Sequence, residues 1–341
     1  MRGLLFLVTL LLCAGQAGAA VVLMYHRFGE DELPATNIRL AQFEQQLEYI
    51  ASAGYRVWPL ARIAEHLREG RELPDRVLAI TVDDAYASVY HEAFPRLRSR
   101  GWPFTVFVST DPVDQGLRGY MSWPQLRELH EAGVALANHS ASHAHLVRRL
   151  AGESEPDWRA RVQADIQRAE RRLREELGPR VNGARLFAYP YGDYDRPLAE
   201  WLAARGYLAF GQHSGALGLR SDPRALPRYP IAEAYADPDE FALKLASRPL
   251  PLRAVHPWNP LLGEAGEAPV LELRLDAPVS GLSCYYRGER LRLQGAEGRR
   301  VRVMGPARLP PGRSRYNCTA PAGEGRWYWY SHPWLVPGGW D

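Results

Sequence analysis

The 341-residue sequence is poor in lysine, methionine and cysteine: it holds four methionines, three cysteines and, at Lys244, a single lysine. Forty-one of its 42 basic residues are therefore arginine, set against 39 acidic residues for a formal charge of +3. The arginines are interspersed with acidic residues, which argues against the continuous basic footprint that nucleic acid requires. Long hydrophobic runs are scarce too. The apolar stretch 4–13 is half the roughly 20 residues that a bilayer span takes, so no transmembrane segment is expected. With 46% apolar and 24% charged residues, the chain is neither disordered nor fibrous. Its length suits about two globular domains.

The cysteines separate into one and two. Cys13 lies in a segment that begins Met1-Arg2-Gly3, continues through the apolar run and ends in Ala14-Gly15-Gln16-Ala17-Gly18-Ala19-Ala20. A positive start, a short apolar core and small exit residues form the pattern of a secretory signal peptide over 1–20. A buried N-terminal strand or helix is the plainer alternative. Leu12 is bulky where a lipoprotein site takes a small residue, which disfavours a lipid anchor. Removal after Ala19 or Ala20 leaves Cys284 and Cys318, an even pair that reads as one disulfide in an exported, periplasmic or secreted protein.

From residue 21 onward, apolar runs alternate with amphipathic stretches, as in an α/β protein with a parallel sheet. Strands are expected at 21–25, 57–60, 77–82, 104–108, 134–137, 186–189 and 208–210. Helices are expected at 40–53, 61–69, 123–132, 157–177 and 196–205. A barrel and an open wound sheet both fit this order. Pro249, Pro251, Pro257 and Pro260 then punctuate a stretch without periodicity, read as a surface linker over 248–266. Short strand-like runs at 270–275, 281–286, 290–293, 300–304, 314–319 and 326–331 make 267–341 a small all-β accessory domain. A bridge between Cys284 and Cys318 would stabilise it by roughly 3–4 kcal/mol.

Four strand ends carry the chemistry. Thr81-Val82-Asp83-Asp84 closes the clearest strand, and adjacent side chains there point to opposite sides, so one carboxylate can bind a metal while the other acts as a base. Capping the next helix is the alternative role. His139-Ser140-Ala141-Ser142-His143 follows another strand, and two histidines four apart on a helical turn can chelate one ion. His145 has the opposite phase and reads as structural. Tyr189-Pro190-Tyr191-Gly192 is a turn able to aim the Tyr191 amide at an oxyanion. His26 ends the first strand, in position for proton transfer near neutral pH or for a structural hydrogen bond.

These elements resemble the NodB-homology polysaccharide deacetylases of carbohydrate esterase family 4. The family's Thr-Phe-Asp-Asp-Gly is similar to Thr81-Val82-Asp83-Asp84-Ala85. Its His-Ser/Thr-x-x-His matches His139 to His143, and its Arg-Pro-Pro-Tyr-Gly appears as Ala188-Tyr189-Pro190-Tyr191-Gly192. Ala85 stands for the usual glycine and Ala188 for the orienting arginine, while the late Leu-x-His motif is not visible. Leu23-Met24-Tyr25-His26 resembles the first strand of the circularly permuted poly-N-acetylglucosamine deacetylases, which favours His26 over His213 and His256 as the acid.

The resemblance implies a distorted (β/α) barrel deacetylase domain over 21–247. It also implies one divalent metal on Asp84, His139 and His143, with zinc the default and cobalt, nickel or iron alternatives. Asp83 would be the base toward the attacking water, the Tyr191 amide would face the oxyanion, and His26 would protonate the departing glucosamine nitrogen. The implied substrate is an N-acetylated polysaccharide, and the implied partner an exopolysaccharide export or synthesis machinery. Arg228 could replace the missing arginine or lie on the surface. Trp327-Tyr328-Trp329-Tyr330, with Trp334 and Trp340, could stack on sugars, pack a core or dock on the barrel. Rival functions are a deacetylase or esterase acting on peptidoglycan, xylan or a lipid-linked sugar, and a non-catalytic glycan-binding protein.

Overall fold

The computed structural model describes residues 18–263, 266–267 and 269–338. Residues 1–17, most of the expected signal peptide, and Trp340 lie outside the described residues. The first ten strands are β1 (Ala20–Tyr25), β2 (Arg27–Phe28), β3 (Asn37–Ile38), β4 (Arg56–Val57), β5 (Val77–Asp83), β6 (Phe104–Val108), β7 (Ala135–Asn138), β8 (Leu186–Ala188), β9 (Leu208–Phe210) and β10 (Tyr229–Pro230). Eight of them form one all-parallel sheet in the order β10-β1-β5-β6-β7-β8-β9, with β4 alongside β5. β1, β5 and β6 are buried along their whole length. That is why they read as continuous apolar runs: both faces of a parallel sheet are covered. Among the described residues β9 and β10 do not pair directly; an isolated bridge from Phe210 to Leu226 spans the gap, so the barrel is distorted there.

The helices are α1 (Leu40–Ser52), α2 (Leu60–Arg68), α3 (Phe94–Ser99), α4 (Thr110–Asp114), α5 (Trp123–Glu131), α6 (Glu155–Leu177), α7 (Arg196–Ala203) and α8 (Pro238–Leu245). In α1 the apolar stripe Phe43, Leu47 and Ile50 is buried against the sheet. α6 starts where Ser154 accepts from the Asp157 amide and ends at Gly178, whose φ of 92° suits glycine. It buries Trp158, Val162, Ile166, Ala169 and Leu173 and leaves its arginine-rich face to solvent.

The accessory domain comprises β11 (Arg248–Pro249), β12 (Leu252–His256), β13 (Leu271–Leu275), β14 (Ser283–Tyr286), β15 (Glu289–Arg290), β16 (Arg292–Gln294), β17 (Arg300–Met304), β18 (Gly312–Pro321) and β19 (Trp327–Val336). They form two sheets, β11-β19-β18-β14-β15 and β12-β13-β17-β16, around one core that includes Leu271, Leu273, Val301, Val303 and Trp334. Cys284 and Cys318 are direct partners in the β14–β18 register and form a buried disulfide.

The stretch 248–266, read as a surface linker, supplies β11 and β12. Each is an edge strand, where proline can sit without removing a ladder hydrogen bond, so the prolines hid the pairing. The aromatic run divides: Trp329 packs against the barrel core, Tyr328, Tyr330 and Trp334 pack the accessory domain's own core, and Trp327 stays exposed. Among the described residues, no helix is long and apolar enough to cross a membrane.

Candidate metal centre and its surroundings

His26, Asp83, Asp84, His139 and Tyr191 sit at or just beyond carboxyl ends of the parallel strands, where sites gather in this architecture. Along β5, Leu78, Ile80 and Val82 face the helices, while Thr81 and Asp83 face the barrel interior. Asp83 is fully buried and held by Arg228, equally buried, through two parallel bonds of 2.7 Å from Nη1 and Nη2 to its two carboxylate oxygens. Arg228 Nε donates to the Gly211 carbonyl at 3.0 Å, and Nη1 also donates to Thr81 Oγ1 at 3.2 Å. Burial works to raise the Asp83 pKa, but the charge and hydrogen bonds of Arg228, together with the neighbouring His139 and His26, outweigh it and hold the carboxyl below its usual range.

The surface alternative for Arg228 is thus excluded. It is fully buried, with its guanidinium 5.2 Å from the centre of the Phe107 ring. No local pattern marks this pairing, because 145 residues separate the partners. The one signal is an arginine set within the apolar run around a short strand.

Asp84 leaves the strand with φ of 76°, and Ala85 follows at 61°, so the chain turns sharply and brings Asp84 over the sheet edge. Its amide is held by the Phe107 carbonyl at 3.0 Å. The histidine pair is presented differently from the expected helical turn. Residues 139–145 form a loop with left-handed φ at Ser140 (65°) and His143 (53°). Asn138 Oδ1 accepts from the Ser140 amide, Ser140 Oγ from the His143 amide, and Asp165 of α6 from the amides of Ala141 and Ser142. These local bonds satisfy the backbone without a helix.

The loop brings Nε2 of His139 and of His143 to 3.2 and 2.9 Å from Asp84 Oδ1. The three ligand atoms lie within 4.8 Å of one another. Asp84 Oδ1 and His139 Nε2 are buried without a hydrogen bond, an arrangement that a cation would relieve. His139 Nδ1 donates to the Ala188 carbonyl at 2.8 Å, which fixes the ring and turns the Nε2 lone pair inward. A carboxylate and two imidazoles fit a divalent metal with open positions left for substrate.

His26, at the end of β1, shares this neighbourhood. Burial pushes its pKa down, while the charges of Asp84 and Asp83 act in the opposite sense. His213 and His256 do not share it: His213 is buried against the accessory domain, and His256 is exposed on β12. Tyr191 has φ of 59° and ψ of 0°, within a single turn at Pro190–Gly192. Its ring lies 4.5 Å from that of His143 and stacks on His145 at 3.8 Å. His145 in turn bonds the buried Asp193 at 2.8 Å, consistent with its structural reading.

A buried carboxylate–arginine pair beside an Asp-His-His cluster, at the carboxyl edge of a parallel barrel, is an arrangement able to hold a metal ion next to an ionised carboxylate, as a hydrolytic site requires. Residues 70–210 match the family described as polysaccharide deacetylase. The chain is 25% identical over 232 residues to poly-beta-1,6-N-acetyl-D-glucosamine N-deacetylase of Escherichia coli K12, an alignment covering 58% of this chain and 34% of that protein. It thus spans about a third of that relative's length. Among solved structures, IcaB from Ammonifex degensii is 29% identical with a TM-score of 0.56, over 68% of this chain and 97% of that one. The Streptococcus pyogenes deacetylase PplD, in complex with acetate, shares the fold at 20% identity and a TM-score of 0.58, over 67% of this chain and 99% of that one. The chain carries a polysaccharide deacetylase domain.

Proposed function

We propose that this protein removes acetyl groups from a polymer of N-acetylglucosamine, with a β-1,6-linked polymer the first substrate to try. The observation that carries this reading is the Asp84-His139-His143 cluster beside the buried Asp83–Arg228 pair, within a polysaccharide deacetylase domain. The linkage comes from the E. coli relative, whose name specifies it.

Asp84, His139 and His143 would hold one divalent metal, zinc by default. Bound there, the ion supplies Lewis acidity toward the acetamide carbonyl and acidifies water. Asp83 serves as the base: Arg228 fixes both its oxygens and keeps it ionised, ready to take a proton from the attacking water. The Tyr191 amide, presented by the left-handed turn, donates to the developing oxyanion. His26, kept neutral by burial but close to two carboxylates, takes over the proton that Asp83 removed from the water and passes it to the leaving amine, releasing acetate and a free glucosamine. We read the protein as exported, to the periplasm or beyond; the disulfide in the accessory domain supports this. Exopolysaccharide export or synthesis machinery is its proposed partner.

The test couples metal content to acetate release on β-1,6-linked N-acetylglucosamine oligomers. Stoichiometric metal and metal-dependent acetate release are expected, with loss on chelation and recovery on adding zinc. A metal-loaded protein that releases acetate only from peptidoglycan or xylan fragments would move the substrate. One that binds oligomers without releasing acetate would favour a glycan-binding role.

A further inference from the structure

The accessory domain is fixed to the barrel by specific contacts. Directly after α8 of the barrel, β11 carries the chain into the accessory domain and pairs in parallel with β19, matching Arg248 to Tyr328 and Pro249 to Trp329. The Trp329 ring meets Tyr229 of β10 edge-on at 5.5 Å. Arg326 donates to the Ala246 carbonyl and to Asp75, each at 2.7 Å. This docking carries β18, which lies next to β19, up to the rim of the metal centre.

From β18, Arg313 reaches across the domain boundary. Its Nη1 donates to the Tyr191 carbonyl at 3.1 Å, and its guanidinium stands 5.2 Å from the centre of the Tyr191 ring. Tyr191 is the residue whose left-handed backbone forms the turn and whose ring contacts His143. A non-glycine residue in that region persists only where its surroundings hold it. Gly192, itself at φ of 76°, packs closely on Gln212: an added Cβ there would lie 2.7 Å from it, so the residue after Tyr191 has to be glycine. His145 holds the Tyr191 ring from one side and Arg313 holds its carbonyl from the other.

We propose that Arg313, supplied by the accessory domain, is a positioning residue for the deacetylation site, clamping the Pro190–Gly192 turn so that the Tyr191 amide keeps its aim. The role rests on the reading, made above, that this amide faces the oxyanion. The accessory domain is then a working part of the active site and not a detachable glycan-binding appendage. A planar guanidinium both donates to the carbonyl and covers the ring, whereas an ammonium can only donate, so lysine should restore part of the function.

The full chain with Arg313→Ala and Arg313→Lys tests this through two readouts. Hydrogen exchange on the metal-free protein reports local opening of residues 189–193. It should quicken by up to about fivefold in R313A, the most that one exposed charged contact gives, recover partly in R313K, and stay unchanged in β5. On acetylated oligomers, kcat should fall by a similar factor in R313A with KM and metal content unchanged. Unaltered exchange and kcat in R313A overturn the proposal, as does a rise in KM alone, which would make Arg313 a sugar contact. If the wild-type protein releases no acetate, the reaction reading fails, and exchange still decides the clamp: protection lost in R313A upholds it, protection retained overturns it.

Discussion

Asp83 is asked to be both buried and charged. Two ions taken from water into a packed interior repay their desolvation only when geometry is good and every remaining donor is used. Arg228 comes close to that condition, engaging four of its five N–H donors, two on Asp83, one on Thr81 and one on Gly211. Two predictions follow from the chemistry of the pair. Asp83→Asn keeps size and removes the base, so acetate release should fall by at least about a hundredfold, within the range of lost general-base catalysis, while metal stays bound. A D83N variant with wild-type turnover would remove Asp83 from that role. Arg228→Met leaves a buried carboxylate unpaired and should lower unfolding free energy by about 3–5 kcal/mol. Adding Asp83→Leu to R228M should restore much of that stability and none of the activity, as denaturant unfolding and acetate assays on the three proteins would show. If the double variant is no more stable than R228M, the loss comes from packing and not from the orphaned charge.

At the level of elements, turns do the positioning. Ten non-glycine residues among those described have positive φ, and five of them are Asp84, Ala85, Ser140, His143 and Tyr191. Such backbone conformations cost of order 1–3 kcal/mol each and concentrate where function requires them. This explains what could be read in advance. The strands were legible because burial on both faces makes them continuous apolar runs, and the Asp84-His139-His143 cluster was legible because Asp84 and His139 directly follow those strands. The loop geometry of His139 and His143 was not, since serine and histidine at positive φ leave no compositional trace, and spacing alone suggested a helix. α8 went unread although Asp237-Pro238 is a fair start signal, with Asp237 accepting from two amides of the first turn. In the accessory domain the Cys284–Cys318 bridge does the work that a larger core would do elsewhere. Replacing both cysteines by alanine should lower that domain's unfolding free energy by roughly 3–4 kcal/mol, the value for a loop of this length. Calorimetry with and without reductant checks this: reduction should shift the wild-type transition and leave the double variant's unmoved.

At the scale of the whole molecule, the two domains share a buried seam. His213 of the barrel and His332 of β19 face each other there, both nearly inaccessible. Around them lie Arg315 of β18, whose charge opposes protonation of His213, and Tyr330, whose hydroxyl pairs with His332 Nδ1 at 2.9 Å. Burial first, then these neighbouring charges, brings both imidazoles down to about 3. In the unfolded chain each titrates near the ordinary value of about 6.5. Between those two values protons bind the unfolded chain and not the folded one, so stability declines as pH drops below about 6.5 and stops declining on this account near pH 3. At pH 5.5, above the range where most carboxylates titrate, the loss relative to pH 8 should be about 1.4 kcal/mol per histidine at most. His332→Gln retains a partner for Tyr330 and cannot titrate, so it should remove about half of the decline. Unfolding curves of the two proteins at pH 8, 7, 6 and 5.5 distinguish the cases. Parallel pH dependences would mean that the seam opens to water and that His332 titrates freely, whereas a shallower H332Q curve would show that both domains share one acid-sensitive interface.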